Sequence, residues 1–70
     1  MAVVDRKIFA GYAVRKARRS AGLTQAAMAE ALDISPSYLN LIEHGSRPVS
    51  ANIIVRLAER FGFDPAALAG

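Results

Sequence analysis

Apolar residues recur along this chain at helical spacing, three or four positions apart, and strand-like alternation is absent. From Thr24 to Gly45 the positions suited to burial are Met28, Ala29, Leu32, Ile34, Leu39 and Ile42, and Asp33-Ile34 interrupts the helix formers between them. That pattern predicts two short helices joined by a tight turn, the first from Gln25 to Leu32. Thr24 is suited to N-cap it, and Ser35 to cap the second, where Pro36 fills the first helical position and its missing N–H costs nothing. The second helix runs to about His44 and stops at Gly45, a residue type favoured just past a helix end. Ala29 lies where the pair must approach closely, and a larger side chain there would push the helices apart.

The flanking elements read as support. Ala10, Ala13, Val14, Ala17 and Ala21 share one face of a helix predicted from about Ile8 to Ala21. Phe9 and Tyr12 flank that stripe and are expected to pack as core edges; Lys16 and Arg19 point away, and Gly11 is a weak spot early in the helix. Gly22 ends it and Leu23 turns inward. After a loop over Ser46-Arg47-Pro48-Val49, Ser50 caps a helix with a broad apolar stripe of Ile53, Ile54, Leu57, Ala58 and Phe61. Arg56 and Arg60 are expected on its outer side, with Val55 partly outward. Asp64 and Pro65 open a short fifth helix, with Leu68 as its core contact. The expected class is all-α, five helices in one domain over residues 1–70, with the native chain free to continue past Gly70.

Composition narrows the chemistry. Seventy residues allow one small core. With no cysteine and a single histidine, His44, neither a disulfide nor a metal site is expected, and no cofactor is indicated. No apolar run approaches the roughly 18 residues of a membrane span, and the first residues lack a signal-peptide core, so the expected compartment is the cytoplasm. No Ser/His/Asp or carboxylate constellation recurs at catalytic spacing, which argues against an enzyme. The net charge of +3 is unevenly placed. Six basic residues stand before Gly22 against one acid; from Gly22 onward three face five acids. Such asymmetry favours a polyanion along one side.

On the second helix of the pair, Leu39 and Ile42 face one way while Ser37, Asn40, Leu41 and His44 face the other. Ser37 and Asn40 are short donors and acceptors of the kind that read base edges, and asparagine bonds adenine bidentately. Leu41 suits a thymine methyl. Tyr38 lies at the boundary with its hydroxyl out, and His44 is favoured there by the helix dipole. The stretch AGLTQAAMAEALDISPSYLNLIEHGSRPVS resembles the phage-repressor, Cro-like or XRE family of helix-turn-helix DNA-binding domains, and the likeness runs from about Ile8 to Leu68. It implies a five-helix, lambda-repressor-like domain with its helix-turn-helix at about 24–45 and the helix at 35–44 in the major groove. The matching phosphate contacts are Thr24 and Gln25 at the start of helix two, and Ser46, Arg47 and Ser50 in the loop after helix three. The matching base readers are Pro36, Ser37, Asn40 and Leu41. The resemblance also implies a structural ion pair between Arg18 and Glu43, with one guanidinium N–H of Arg18 left for a phosphate.

Three departures from the family pattern matter. Asp33 stands where glycine is usual, so a non-glycine must take a left-handed conformation. Pro36 replaces a polar side chain at the helix entrance. The outer face holds no Gln or Arg, which implies modest intrinsic specificity or help from DNA shape. The version SPSYLNLIEHGSRPVS resembles the amino-terminal domain of larger bacterial regulators of short-chain fatty-acid metabolism. The expected function is therefore sequence-specific binding of a double-stranded DNA operator, as a homodimer, by a bacterial or phage-type transcriptional regulator; the residues name no effector. The alternative is a protein-interaction module on the same fold, such as an antitoxin-like partner or adaptor. The basic residues of helix one and the polar face of helix three favour DNA.

Overall fold

The computed structural model describes residues 9–64. Four α-helices follow in order: α1 Gly11–Ser20, α2 Gln25–Ala31, α3 Pro36–Glu43 and α4 Ala51–Phe61. No strand occurs among the described residues, and none of these helices is long and apolar enough to cross a membrane. The fifth helix and its Leu68 contact fall on residues 65–70, outside the described residues; α1, expected from about Ile8, begins only at Gly11, with Phe9 and Ala10 outside the helix and Ala10 at its N-cap.

Local chemistry sets the boundaries. Thr24 Oγ1 accepts from the Ala27 N–H at 3.1 Å, Ser35 Oγ from Tyr38 at 3.0 Å and Ser50 Oγ from Ile53 at 3.3 Å, so α2, α3 and α4 each begin on a hydroxyl cap. The turn between α2 and α3 is held by Ile34 N–H donating to the Ala29 carbonyl at 3.0 Å. Asp33 takes φ 59°, the left-handed geometry that its place in the turn demands.

Val14, Met28, Ala29, Leu32, Leu39, Ile42, Val49, Ile53 and Leu57 form the buried core, and α3 packs against both α1 and α2. Several side chains depart from the expected packing. Phe9 and Tyr12, expected at the core edge, are 55% and 77% exposed, and Ala21 is exposed past the end of α1. The reason is the facing of α1. Ala10, Val14 and Ala17 pack on the core as expected, but the seam with α3 is made by Gly11, Arg15 and Arg18, and Tyr12 lies about 100° round the helix from Gly11. Val49, placed in a connecting loop, is a buried core residue that pins that loop to the domain.

Arg56 and Arg60 also depart from expectation. They fold over the end of α2: Arg56 Nη1 donates to the Leu32 carbonyl at 3.0 Å and Arg60 Nη1 to the Ala31 carbonyl. Those carbonyls have no partner within the helix and lie at its negative end. The Asp33 carboxylate, 4.0 Å from Arg56 and 3.8 Å from Arg60, adds to the attraction.

Candidate nucleic-acid interface

α3 turns Leu39 and Ile42 into the core, which leaves Pro36, Ser37, Asn40, Leu41 and His44 at the surface. Leu41 is 39% exposed, an apolar residue at the rim of this polar face. Thr24 is exposed at the start of α2, and Ser46, Arg47 and Ser50 are exposed in the loop after α3. That loop is bound back on the helix, because the Ser46 and Arg47 N–H groups both donate to the Leu41 carbonyl, at 2.8 and 3.3 Å. At the C-terminal end of α3, His44 Nδ1 lies 2.8 Å from the Asn40 carbonyl oxygen.

Beneath the polar face lies a buried carboxylate. The Glu43 side chain is 1% exposed, and Arg18 meets it in a bidentate pair: Nε to Oε2 at 2.7 Å and Nη2 to Oε1 at 3.1 Å. Arg18, 15% exposed, also donates through Nη1 to the Leu23 carbonyl at 3.0 Å. Three of its five N–H groups are thus engaged inside the domain. Arg15 donates to the Glu43 carbonyl at 3.1 Å and brings its Nε to 3.7 Å from Oε1. Among the described residues, no buried side-chain polar atom lacks a partner.

These contacts decide the charge state. Burial pushes the Glu43 carboxyl up, but hydrogen bonds from Arg18 and Gln25, with the charges of Arg18 and Arg15, outweigh it and hold the group below the ordinary glutamate value. The hydrogen bond to Glu43 raises Arg18 in turn, against burial, which lowers it. The pair is ionised throughout the neutral range.

Gln25 connects the buried pair to the surface. Its Nε2 donates to Glu43 Oε1 and to Asn40 Oδ1, both at 3.1 Å. The structure therefore joins Arg18, Glu43, Gln25 and Asn40 in one network, while Ser37, Leu41, Thr24, Ser46, Arg47 and Ser50 stand around it, Thr24 and Ser50 as helix caps. Sequence reasoning gave Arg15 and the Gln25–Asn40 bond no role and took Gly11 as a weakness. The spacing of Gly11, Arg15 and Arg18 on one helical stripe was the available signal for two of these.

Comparison with known proteins identifies the fold and the family. Residues 11–69 match a family model described as a helix-turn-helix domain. Over 58 residues the chain is 48% identical to the HTH-type transcriptional regulator RamB of Mycobacterium tuberculosis, covering 83% of this chain and 12% of that protein. It is 47% identical over 58 residues to the propionyl-CoA carboxylase regulator of Cereibacter sphaeroides, covering 83% of this chain and 13% of that one. Among solved structures, the restriction-modification controller protein C.AhdI from Aeromonas hydrophila superposes with a TM-score of 0.73 at 33% identity, over 83% of this chain and 88% of that chain. The clp gene regulator ClgR from C. glutamicum gives a TM-score of 0.73 at 32% identity, over 84% and 77% of the two chains. The chain belongs to the helix-turn-helix family of DNA-binding domains found in transcriptional regulators.

Proposed function

We propose that this chain is the DNA-reading part of a larger cytoplasmic bacterial regulator, with α3 as the recognition helix in the major groove of an operator. The observation that carries the assignment is the polar outer face of α3, flanked by the exposed start of α2 and the exposed loop after α3. Ser37, Asn40 and Leu41 are the base readers, and Pro36 brings the helix entrance close to the DNA without a donor of its own. Thr24, Ser46, Arg47 and Ser50 straddle that helix as phosphate contacts, and the two unengaged N–H groups of Arg18 reach toward the same backbone. The name of one relative, a propionyl-CoA carboxylase regulator, supports a role in regulating short-chain acyl metabolism.

One α3 offers few base contacts, so the working unit is a homodimer that doubles them, its two recognition helices about one DNA turn, roughly 34 Å, apart. The exposed Val55 on α4 is a surface this chain offers to a partner copy. Selection from random duplexes at one stated salt concentration tests the reading. The expected product is a two-fold repeated motif. Ser37→Ala and Asn40→Ala should each relax preference at particular base pairs, by roughly 1–3 kcal/mol where the contact is bidentate. Arg47→Ala should weaken binding to all sequences and flatten its salt dependence. If no motif is enriched, or if Asn40→Ala leaves the ranking of operators unchanged, the assignment of α3 is wrong.

A further inference from the structure

α1 contains no acidic residue, and its basic side chains divide between two faces. Arg15 and Arg18 turn to Glu43 at the seam with α3. Lys16 and Arg19 are exposed on a different stripe with Tyr12, about 80–140° round the helix from Gly11. Among the described residues no acid pairs with either of them. Tyr12, Lys16 and Ser20, spaced four residues apart, form a ridge along this face with a groove on each side. One groove, of about 300 Å³, is walled by Arg15 and Arg19. The other, of about 410 Å³, is walled by Ala13, Ala17 and Phe63. Phe63 reaches it because Gly62 takes φ 63° and turns the chain back after α4, with the Phe63 N–H donating to the Leu57 carbonyl at 3.2 Å.

A row of residues four apart, flanked by grooves, is the form in which one helix receives another. From Tyr12 to Ser20 the ridge runs roughly 12 Å, about two turns of a partner helix. We infer that this outer face of α1 docks an acidic amphipathic helix of another protein segment. Its apolar side chains would seat against Ala13, Ala17 and Phe63, and its carboxylates along Lys16 and Arg19. Tyr12, at the centre, is the residue type that anchors such contacts. Charge and shape select this occupant over others. A second copy brings the same net charge of +3, and none of its four described helices holds more than one acid, so it offers no acidic stripe. A phosphate backbone would pair with Lys16 and Arg19 but leave the apolar groove unused. A membrane surface takes up apolar side chains that project, whereas Ala13, Ala17 and Phe63 line a recess. The face is separate from the polar side of α3, which stays open to DNA while α1 is occupied.

Selection from a displayed library of amphipathic helices of about 15 residues, long enough to hold helical structure, tests this when the polar positions are free to be acidic or basic. The 70-residue chain is the target. Sequences with Asp and Glu beside an apolar stripe should be enriched, and a synthetic peptide of the enriched sequence should bind the chain in solution. The Lys16→Glu, Arg19→Glu double variant and Tyr12→Ala, all at exposed positions and checked for folding by urea denaturation, should each weaken the peptide by on the order of tenfold or more. Both should keep the wild-type ranking of duplexes, and saturating duplex should not displace the peptide. Enrichment of no helix, enrichment of basic helices, or binding that survives these variants would overturn the inference. So would displacement by duplex, which would put the peptide on α3. Binding to vesicles of phosphatidylcholine and phosphatidylglycerol, or self-association in sedimentation, abolished by the same variants would give the face to a membrane or to a second copy and overturn it too. A chain that selects no duplex yet binds the peptide through Tyr12, Lys16 and Arg19 would remove the recognition-helix reading and leave this inference standing.

Discussion

Gly11→Ala is the substitution for which two physical arguments give opposite signs. Gly11 is buried in the first turn of α1, where alanine ordinarily stabilises a helix by up to about 1 kcal/mol. A Cβ at this position, however, would meet the Glu43 carbonyl oxygen at 2.5 Å and the Ile42 carbonyl oxygen at 2.6 Å. Both are backbone atoms of α3 and cannot rotate aside. Ordinary contact begins near 3.4 Å, so α1 and α3 must part by roughly 0.9 Å. A gap of that size forfeits about a quarter to a half of the dispersion energy along the seam. It also stretches the 2.7 Å bond between Arg18 and Glu43 beyond hydrogen-bond range. Overpacking of this kind costs about 1–3 kcal/mol, occasionally more, so the close approach outweighs the helix preference. The expected net loss is about 2 kcal/mol, and Tm should fall by roughly 8–16 °C in a domain of this size. Gly22→Ala is the control: its φ is 71° and nothing lies within 4 Å of the added Cβ, so it bears only the left-handed strain of about 1–2 kcal/mol. Urea and thermal unfolding followed by circular dichroism measure both. A Gly11→Ala midpoint at or above wild type would refute the close-approach argument.

Two further outcomes follow from the Glu43 network. Arg18→Met or Glu43→Leu alone leaves a charge near the core and should cost roughly 3–5 kcal/mol, while the double variant costs less than either; additive losses below about 0.5 kcal/mol each in urea unfolding would mean the pair holds nothing. Because the folded carboxyl titrates below its ordinary value, its stabilisation is complete above the unfolded value of about 4.3 and is lost as pH falls through the folded one. Glu43→Gln should therefore flatten the acid limb of the urea midpoint plotted against pH, and superimposable limbs would contradict the linkage.

Helix boundaries were legible because they depend on neighbours in the chain. A hydroxyl before each of α2, α3 and α4, a proline at the first position of α3, and glycines at 22, 45 and 62 are local signals with local consequences. The left-handed turn at Asp33 was legible for the same reason. The facing of α1 was legible in part: Ala10, Val14 and Ala17 pack on the core as the periodicity predicts, whereas Gly11, Arg15 and Arg18, which meet α3 through backbone approach and charge, carry no hydrophobic signal. Val49 was missed because a single valine in a polar loop has no periodicity to betray it. At the candidate interface the outward direction of Ser37, Asn40 and Leu41 follows from helical spacing. The bond between Gln25 and Asn40 depends on how α2 crosses α3 and on which rotamers result, which spacing alone does not specify.

A buried carboxylate is a poor means of gaining stability, since well-packed apolar residues often serve as well or better. What an ion pair adds is direction. The contact from Arg18 to Glu43 has two short bonds with fixed angles, and Gln25 continues that geometry outward to Asn40 at the surface. Apolar contacts at the same seam would hold α1 against α3 without orienting a carboxamide. Stability and reading should therefore come apart in the Arg18→Met, Glu43→Leu double variant. With both charges gone, the seam is expected to pack and the chain to unfold close to the wild-type urea midpoint. Gln25, however, loses the acceptor that sets its flip, and Asn40 loses its fixed orientation. The double variant should still bind the selected duplex through Thr24, Ser46, Arg47 and Ser50, more weakly on all sequences because the Arg18 phosphate contact is gone, and with the preference at the Asn40 pair relaxed on the scale of about 1 kcal/mol. A double variant that folds normally and keeps the full wild-type ranking would show that the buried carboxylate does not orient the surface above it.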